Sequence, residues 1–315
     1  MLPGWKNEKL ADITVIGRAE TMRIAVVGAN GQLGQDVCQA FLAEQNEVLA
    51  LNHADVEITS LKSVQLALER IRPNLVINTA AFHNVDRCET EAVEAFTVNA
   101  LGARNVAQVT DATGASLIHI STDYVFNGSQ RTPYTESDLV APMNVYGNTK
   151  LAGEYFVRAA IQRHFLVRVS AIYGHHPCRA KGGLNFVELM LKLSKERKEV
   201  RVVDDEFVSP TPTTQIARQL VALSKSQDYG LYHATAEGSC SWFEFASAIF
   251  ELTKTDVRLE PAGPGEFPAR APRPKYSVLE NVALKSRSLN VFTHWKEGLA
   301  SYLAGRAQTA ALISA

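Results

Sequence analysis

Cysteine is scarce in this chain: four in 315 residues, Cys38, Cys88, Cys178 and Cys240, with no Cys-x-x-Cys pair among them. That spacing excludes a zinc knuckle and a disulfide framework, and it fits a reducing cytoplasm. Excess charge of one sign is missing too. A net charge of -1 excludes a protein built mainly to grip nucleic acid. No apolar run approaches the roughly 18 residues that cross a bilayer. The N-terminal stretch lacks the continuous apolar core of a secretion signal, so a cytoplasmic protein with neither membrane nor nucleic-acid partners is expected. Internal repeats and low-complexity tracts are absent as well.

What is present is an ordinary globular composition, 46% apolar and 21% charged, in a chain long enough for one large α/β domain with a smaller attachment. From Arg23 onward, short β-branched runs alternate with amphipathic stretches. The runs Ile24 to Val27, Val48 to Leu51, Leu75 to Asn78, Leu117 to Ser121 and Phe165 to Val169 read as strands buried on both faces. Between them, Gln32 to Glu44, Leu61 to Arg70 and Glu91 to Thr113 have the length of right-handed crossover helices. The expected fold is therefore α/β, a doubly wound parallel sheet of the Rossmann type, over residues 23–174.

Residues 1–22 precede the first strand, with a second methionine at Met22, and are expected to be a disordered extension. After Gly174 the rhythm changes. A helix at about Leu184 to Lys195, a strand at Val200 to Val203, a helix from Ser241 to Leu252 and a Pro- and Gly-rich coil from Pro261 to Pro274 read as a smaller, discontinuous substrate lobe over 175–305. Segments near 210–235 are expected to return to the sheet, with 306–315 as a tail. The cleft between the lobes is the natural ligand site.

Gly28-Ala29-Asn30-Gly31-Gln32-Leu33-Gly34 joins the first strand to a helix. Glycines there allow a tight turn and close backbone approach, and the helix start offers unpaired N–H groups to a pyrophosphate. The second strand ends at Asn52 and His53, with no carboxylate before Asp55 and Glu57. An acid at that point would bond a ribose 2′-OH and repel a 2′-phosphate, so its absence favours NADP over NAD.

Tyr146 and Lys150 lie four residues apart at a helix start, on one face. A close ammonium would favour the phenolate and draw the Tyr146 pKa down. Such a pair suits carbonyl reduction, with the phenol as proton donor and the lysine also reaching the nicotinamide ribose. Ser121-Thr122-Asp123 follows a strand, which puts Thr122 at the carboxyl edge of the sheet, where its hydroxyl would bond a substrate carbonyl.

The glycine loop, Asn78-Thr79-Ala80-Ala81, Val85-Asp86-Arg87-Cys88-Glu89, Ser121 to Phe126 and Tyr146 to Glu154 together resemble the dTDP-4-dehydrorhamnose reductase family of extended short-chain dehydrogenases. Further matches run in family order to about Leu303, among them Ser209-Pro210-Thr211, Ser241-Trp242-Phe243-Glu244 and Arg273-Pro274-Lys275-Tyr276-Ser277. The resemblance implies reduction of a nucleotide-linked 4-keto-6-deoxysugar by NADPH or NADH. It implies Thr122, Tyr146 and Lys150 as the catalytic set. It places Gly28, Asn30, Gly31, Gln32, Leu33, Gly34, Asn52, Ala80, Ala81 and Asn99, with Tyr146 and Lys150, at the cofactor, and Thr122, Asp123 and Asn185 at the sugar nucleotide.

Ala171 stands where the family commonly has tryptophan, which removes a stacking surface beside the sugar and points to a different sugar or nucleotide. Asp36 occupies a position that in some members helps hold Mg²⁺ at a dimer contact. Here a solvated first-turn acid is expected, no metal is predicted, and a homodimer stays open. Two rivals remain: a non-catalytic NADP-binding regulatory subunit resembling the methionine adenosyltransferase β subunit, and a sugar-nucleotide epimerase or dehydratase, for which Asp123 beside Thr122 is the suggestive feature.

Overall fold

A computed structural model describes residues 21–178, 182–263, 265–267 and 270–313, with side chains as far as Arg306; residues 1–20 of the expected extension lie outside that range. Six parallel strands form the central sheet: β1 (Arg23–Val27), β2 (Glu47–Leu51), β3 (Leu75–Asn78), β4 (Ser116–Thr122), β5 (His164–Val169) and β10 (Gly230–His233). Their order is β10-β5-β4-β3-β1-β2, so the winding reverses beside β1, where an open α/β sheet leaves a crevice at its carboxyl edge.

Strand residues alternate between two apolar faces because side chains on a strand repeat every two residues. Ile24, Val26, Ile77, Ile118 and Val167 pack against α1 (Gln32–Ala43) and α8 (Thr213–Ser224), through Val37, Phe41, Ile216 and Leu220. Ala25, Val27, Val76, Leu117 and Leu166 face the other way, onto α2 (Leu61–Ile71), α5 (Ala103–Ala112) and α6 (Val145–Ala160). Both faces are therefore covered along β1, β3, β4 and β5, which read as near-continuous apolar runs. Strand β2, expected to be buried on both faces, lies at the sheet edge and is only partly buried, with Ala50 exposed.

The long helix expected over Glu91 to Thr113 is broken. After α3 (Val85–Thr90) come α4 (Ala92–Phe96), a π-helical segment at Thr97–Gly102, and only then α5. Close packing explains the wide turn: a side chain at Gly102 would come within 2.8 Å of Ile58 Cδ1, and one at Gly153 of α6 would run into the Asn99 carbonyl. Gly153 lets α6 approach the π segment, and Gly102 lets that segment approach the loop bearing Ile58.

The smaller lobe has a separate core. It gathers α7 (Phe186–Glu196), β7 (Glu199–Val202), α9 (Trp242–Thr253), β12 (Arg258–Pro261) and α11 (Trp295–Ile313) around Val187, Val200, Phe245, Ile249, Trp295 and Leu299. Short pairs tie the pieces down: β6 (Ile172–Tyr173) with β9 (Thr211–Pro212), and β8 (Phe207–Val208) with β11 (Cys240–Ser241). Helix α10 (Val282–Ser286) lies beside β10. Helix α11 continues to Ile313, so most of 306–315 extends a helix of the lobe instead of trailing from it as a tail.

Candidate active site

A cleft of about 1430 Å³ opens at the carboxyl edge of the sheet, between the glycine loop and the smaller lobe. Gly28, Asn30, Gly31, Gln32, Leu33, Gly34, Asn52, Ala80 and Ala81 line one side, with Thr122, Asp123, Tyr146 and Lys150 at the centre and Ala171 and Asn185 towards the lobe.

Gly28 has φ +79°, and a side chain there would meet Ala80 N at 2.8 Å and Thr79 Oγ1 at 2.9 Å. Gly34 lies so close that a Cβ would strike the Gly28 carbonyl. Gly31 precedes α1 without any side-chain cap, so the first-turn N–H groups of that helix face the cleft. This is a cradle that only glycine leaves open, with positive dipole density at its floor, and it fits a pyrophosphate. Gly28→Ala should therefore weaken dinucleotide binding at least tenfold, a loss of about 1.4 kcal/mol or more, while the chain stays folded. Isothermal titration with NADP checks this, and an unchanged dissociation constant would contradict it.

At the second strand end, Asn52 N donates to Asp55 Oδ2 at 2.9 Å, and Asn52 Oδ1 accepts from Ala54 N at 2.8 Å. Asp55 is thus turned into its own loop. Glu57 does reach the cleft, where its Oε1 accepts from Thr59 N at 2.9 Å and its Oε2 lies 3.2 Å from His53 Nε2.

Asn144 caps α6 by accepting from Gly147 N at 2.8 Å, and its amide donates to Pro272 O at 2.9 Å, so the helix start is held against the C-terminal segment. One turn in, Lys150 Nζ donates to Ile120 O at 2.7 Å. Burial holds its pKa down to about 8, against an upward pull from Glu154. Tyr146, half-buried, packs edge-on to Tyr124 with ring centroids 5.9 Å apart, and its phenol has the Thr122 hydroxyl as a neighbour. The expectation of a lowered phenol pKa is overturned: burial pushes the Tyr146 phenol up, against a downward pull from the Thr122 hydroxyl. The ammonium is spent on the Ile120 carbonyl, and the phenol keeps its proton, as a donor must.

Thr122 Oγ1 donates to Asp123 Oδ1 at 3.0 Å and accepts from Tyr124 N at 3.2 Å. Ser170 Oγ donates to Asp123 Oδ2 at 2.8 Å. Desolvation raises the pKa of this buried carboxyl group, opposed by those hydroxyls.

Three sequence assignments change in three dimensions. Asn99 is not on the cleft wall. Its Oδ1 accepts from Phe82 N at 2.8 Å and its Nδ2 donates to Phe82 O and Thr149 Oγ1, both at 2.9 Å, so it fixes the loop bearing Phe82 from behind. Asn185 borders the cleft with its polar atoms already engaged: Oδ1 caps α7 at Glu188 N, and Nδ2 donates to Gly174 O at 2.8 Å and Tyr302 Oη at 3.1 Å. Asp36 is buried, not solvated. Its Oδ2 accepts from the Thr213 hydroxyl, and Oδ1 lies 3.5 Å from His176 Nε2.

Sequence reasoning missed the buried support under Lys150. Glu154 takes a bidentate bond from Arg168, Nε to Oε1 at 2.8 Å and Nη2 to Oε2 at 2.7 Å, and a third from Ser121 Oγ at 2.6 Å. Arg168 also lies over the Phe126 ring, 5.2 Å from its centroid. A signal existed, since an arginine inside the apolar strand β5 requires a buried partner. The lobe contributes Phe186, Val208, Trp242 and Phe245 to the cleft, residues that pattern alone assigns to its core.

A glycine cradle at the switch point, with a hydroxyl, a phenol and a lysine converging at the carboxyl edge, defines an NAD(P)-dependent oxidoreductase of the extended short-chain dehydrogenase class. The chain belongs to the RmlD substrate binding domain family, whose sequence profile matches residues 22–307. It is 39% identical over 284 residues to the spore coat polysaccharide biosynthesis protein SpsK of Bacillus subtilis, covering 90% of this chain and 98% of that protein. It is 36% identical over 281 residues to the dTDP-4-keto-6-deoxy-D-glucose reductase of Streptomyces niveus, covering 89% and 96% of the two chains. A solved structure of dTDP-4-dehydrorhamnose reductase from Bacillus anthracis, in complex with NADP, superposes with a TM-score of 0.86 at 38% identity, over 90% of this chain and 99% of that one.

Proposed function

We propose that this enzyme reduces the C4 carbonyl of a nucleotide-linked 4-keto-6-deoxysugar, with NADPH as the preferred reductant. The observation that carries the reading is the convergence of a protonated phenol, Tyr146, and the Thr122 hydroxyl on one point of the cleft, with Lys150 one helical turn below. When bound, the nicotinamide supplies hydride to the sugar carbon. Tyr146 holds the proton that goes to the carbonyl oxygen; the alkoxide that would otherwise form is far more basic than a phenolate, so the raised phenol pKa does not prevent transfer. Thr122 orients that oxygen. The glycine cradle and the open first turn of α1 would hold the pyrophosphate, Ala80 and Ala81 would lie under the cofactor, and Lys150 would meet the ribose.

The reading of NADPH is supported by Asp55, the first carboxylate after β2, which is folded back onto Asn52 N. Glu57, which does line the cleft, is engaged by Thr59 N and lies beside His53. Ala171, at φ +43° on the cleft wall, offers a methyl group to the sugar side where the family commonly presents an indole, which leaves room for a sugar other than the rhamnose precursor.

The test is absorbance loss of NADPH with a panel of nucleotide-linked 4-keto-6-deoxysugars. Cofactor binding without any turnover across the panel would favour a regulatory subunit instead. The pH profile carries a further expectation. Lys150 must be an ammonium to work, and its pKa is held down to about 8. kcat/KM should therefore be flat below that value and fall as pH rises through it, tenfold per unit. A rate that keeps rising to pH 10 would remove Lys150 from the mechanism.

A further inference from the structure

Thr122 has one hydrogen and two lone pairs. One lone pair is taken by Tyr124 N, at 3.2 Å, which leaves one hydrogen and one lone pair, and Asp123 Oδ1 lies 3.0 Å away. With Asp123 ionised, the inventory closes in one way. Thr122 gives its hydrogen to the carboxylate. Thr122 then has no hydrogen for a substrate carbonyl unless that bond is first broken. With Asp123 neutral, the direction reverses. Its O–H donates to Thr122 Oγ1, its other oxygen still accepts from Ser170 Oγ at 2.8 Å, and both Thr122 and Tyr146 have hydrogens to aim at one oxygen.

We propose that Asp123 works as a neutral carboxylic acid, a positioning residue whose O–H turns Thr122 into a hydrogen-bond donor towards the substrate carbonyl. This rests on the reductase reading above and adds to it the protonation state that makes a two-donor oxyanion site. The surroundings agree. Asp123 faces the Tyr124 phenol from its own turn, the Tyr146 phenol from α6 and the Ser170 hydroxyl from the end of β5, with Ser277 close by, and among the described residues no ammonium or guanidinium acts on its carboxyl group. Arg273 and Glu206 act on Tyr124 beyond it, and Lys150 is engaged at Ile120 O. Asp123 keeps its proton throughout; the proton transferred to the sugar is that of Tyr146.

Two variants and one spectrum test this. Asp123→Asn retains a donor towards Thr122 at every pH, whereas Asp123→Leu has none. Expected results are a kcat lowered less than tenfold in Asp123→Asn and about a hundredfold in Asp123→Leu, the usual loss for one oxyanion donor. Equal losses in both variants would overturn the proposal.

An infrared difference spectrum of wild type minus Asp123→Asn needs no turnover. A carboxylic acid C=O band at neutral pH is expected, and carboxylate bands alone would overturn the proposal even if Asp123→Leu fails to fold. Absence of reductase activity in wild type, with the acid band present, would count against the substrate reading and not against the protonation state.

Discussion

Tyr146→Phe should lower kcat by roughly 10²–10⁴ while leaving NADP affinity unchanged. That loss corresponds to about 2.7–5.5 kcal/mol of transition-state stabilisation. The substitution deletes one oxygen and keeps the ring, so the edge-on contact with Tyr124 survives and Thr122 retains Tyr124 N and Asp123 as partners. No buried group is orphaned, and the cradle for the pyrophosphate lies on other elements. KM for the sugar nucleotide should move little, because the phenolic proton matters most once charge develops on the oxygen. Single-turnover measurements at saturating NADPH isolate the chemical step. Turnover within threefold of wild type would mean that another group supplies the proton.

Arg168→Ala should cost about 3–5 kcal/mol of folding stability, read from the urea midpoint at constant slope. The Glu154 carboxylate would be left buried with only Ser121 Oγ at 2.6 Å to satisfy it, while Lys150 above it lost its fixed floor. The pair is 2% and 1% exposed, so solvent cannot replace the guanidinium. Activity should fall as well, because Lys150 and Glu154 share a face of α6 and the lysine depends on that carboxylate for its remaining upward pull. Replacing both partners, Arg168→Met with Glu154→Leu, should restore most of the stability but not the activity. If the single variant loses less than 1 kcal/mol, the buried pair is not what holds β4, β5 and α6 in register.

The rival regulatory role meets these expectations differently. A subunit that only bound NADP would tolerate Tyr146→Phe, yet would suffer equally from Arg168→Ala. The two variants together therefore separate a site kept for chemistry from a fold kept for support.

Much of the architecture was legible in residue pattern, and the errors fell where packing competes with local preference. The apolar runs of β1, β3, β4 and β5 are strands because only a sheet covered on both faces makes such runs soluble, and that constraint is visible in one dimension. The helix over Glu91 to Thr113 could not be read correctly, since its π segment is imposed by Gly102 against Ile58 and Gly153 against Asn99, contacts between residues far apart in sequence. Asp36 carries the marks of a solvated first-turn acid, but α8 and the loop after β6 cover it.

By itself, then, the sequence determined the alternation of strands and helices, the glycine cradle and the four-residue spacing of Tyr146 and Lys150, all set by local geometry and periodicity. Which hydrogens point where was decided only by the tertiary structure. It turned Lys150 to Ile120, stacked Asp123 beneath Thr122 and paired Glu154 with Arg168. The reason is physical: desolvation and hydrogen-bond direction depend on every neighbour within a few ångströms, and most of those neighbours come from distant parts of the chain.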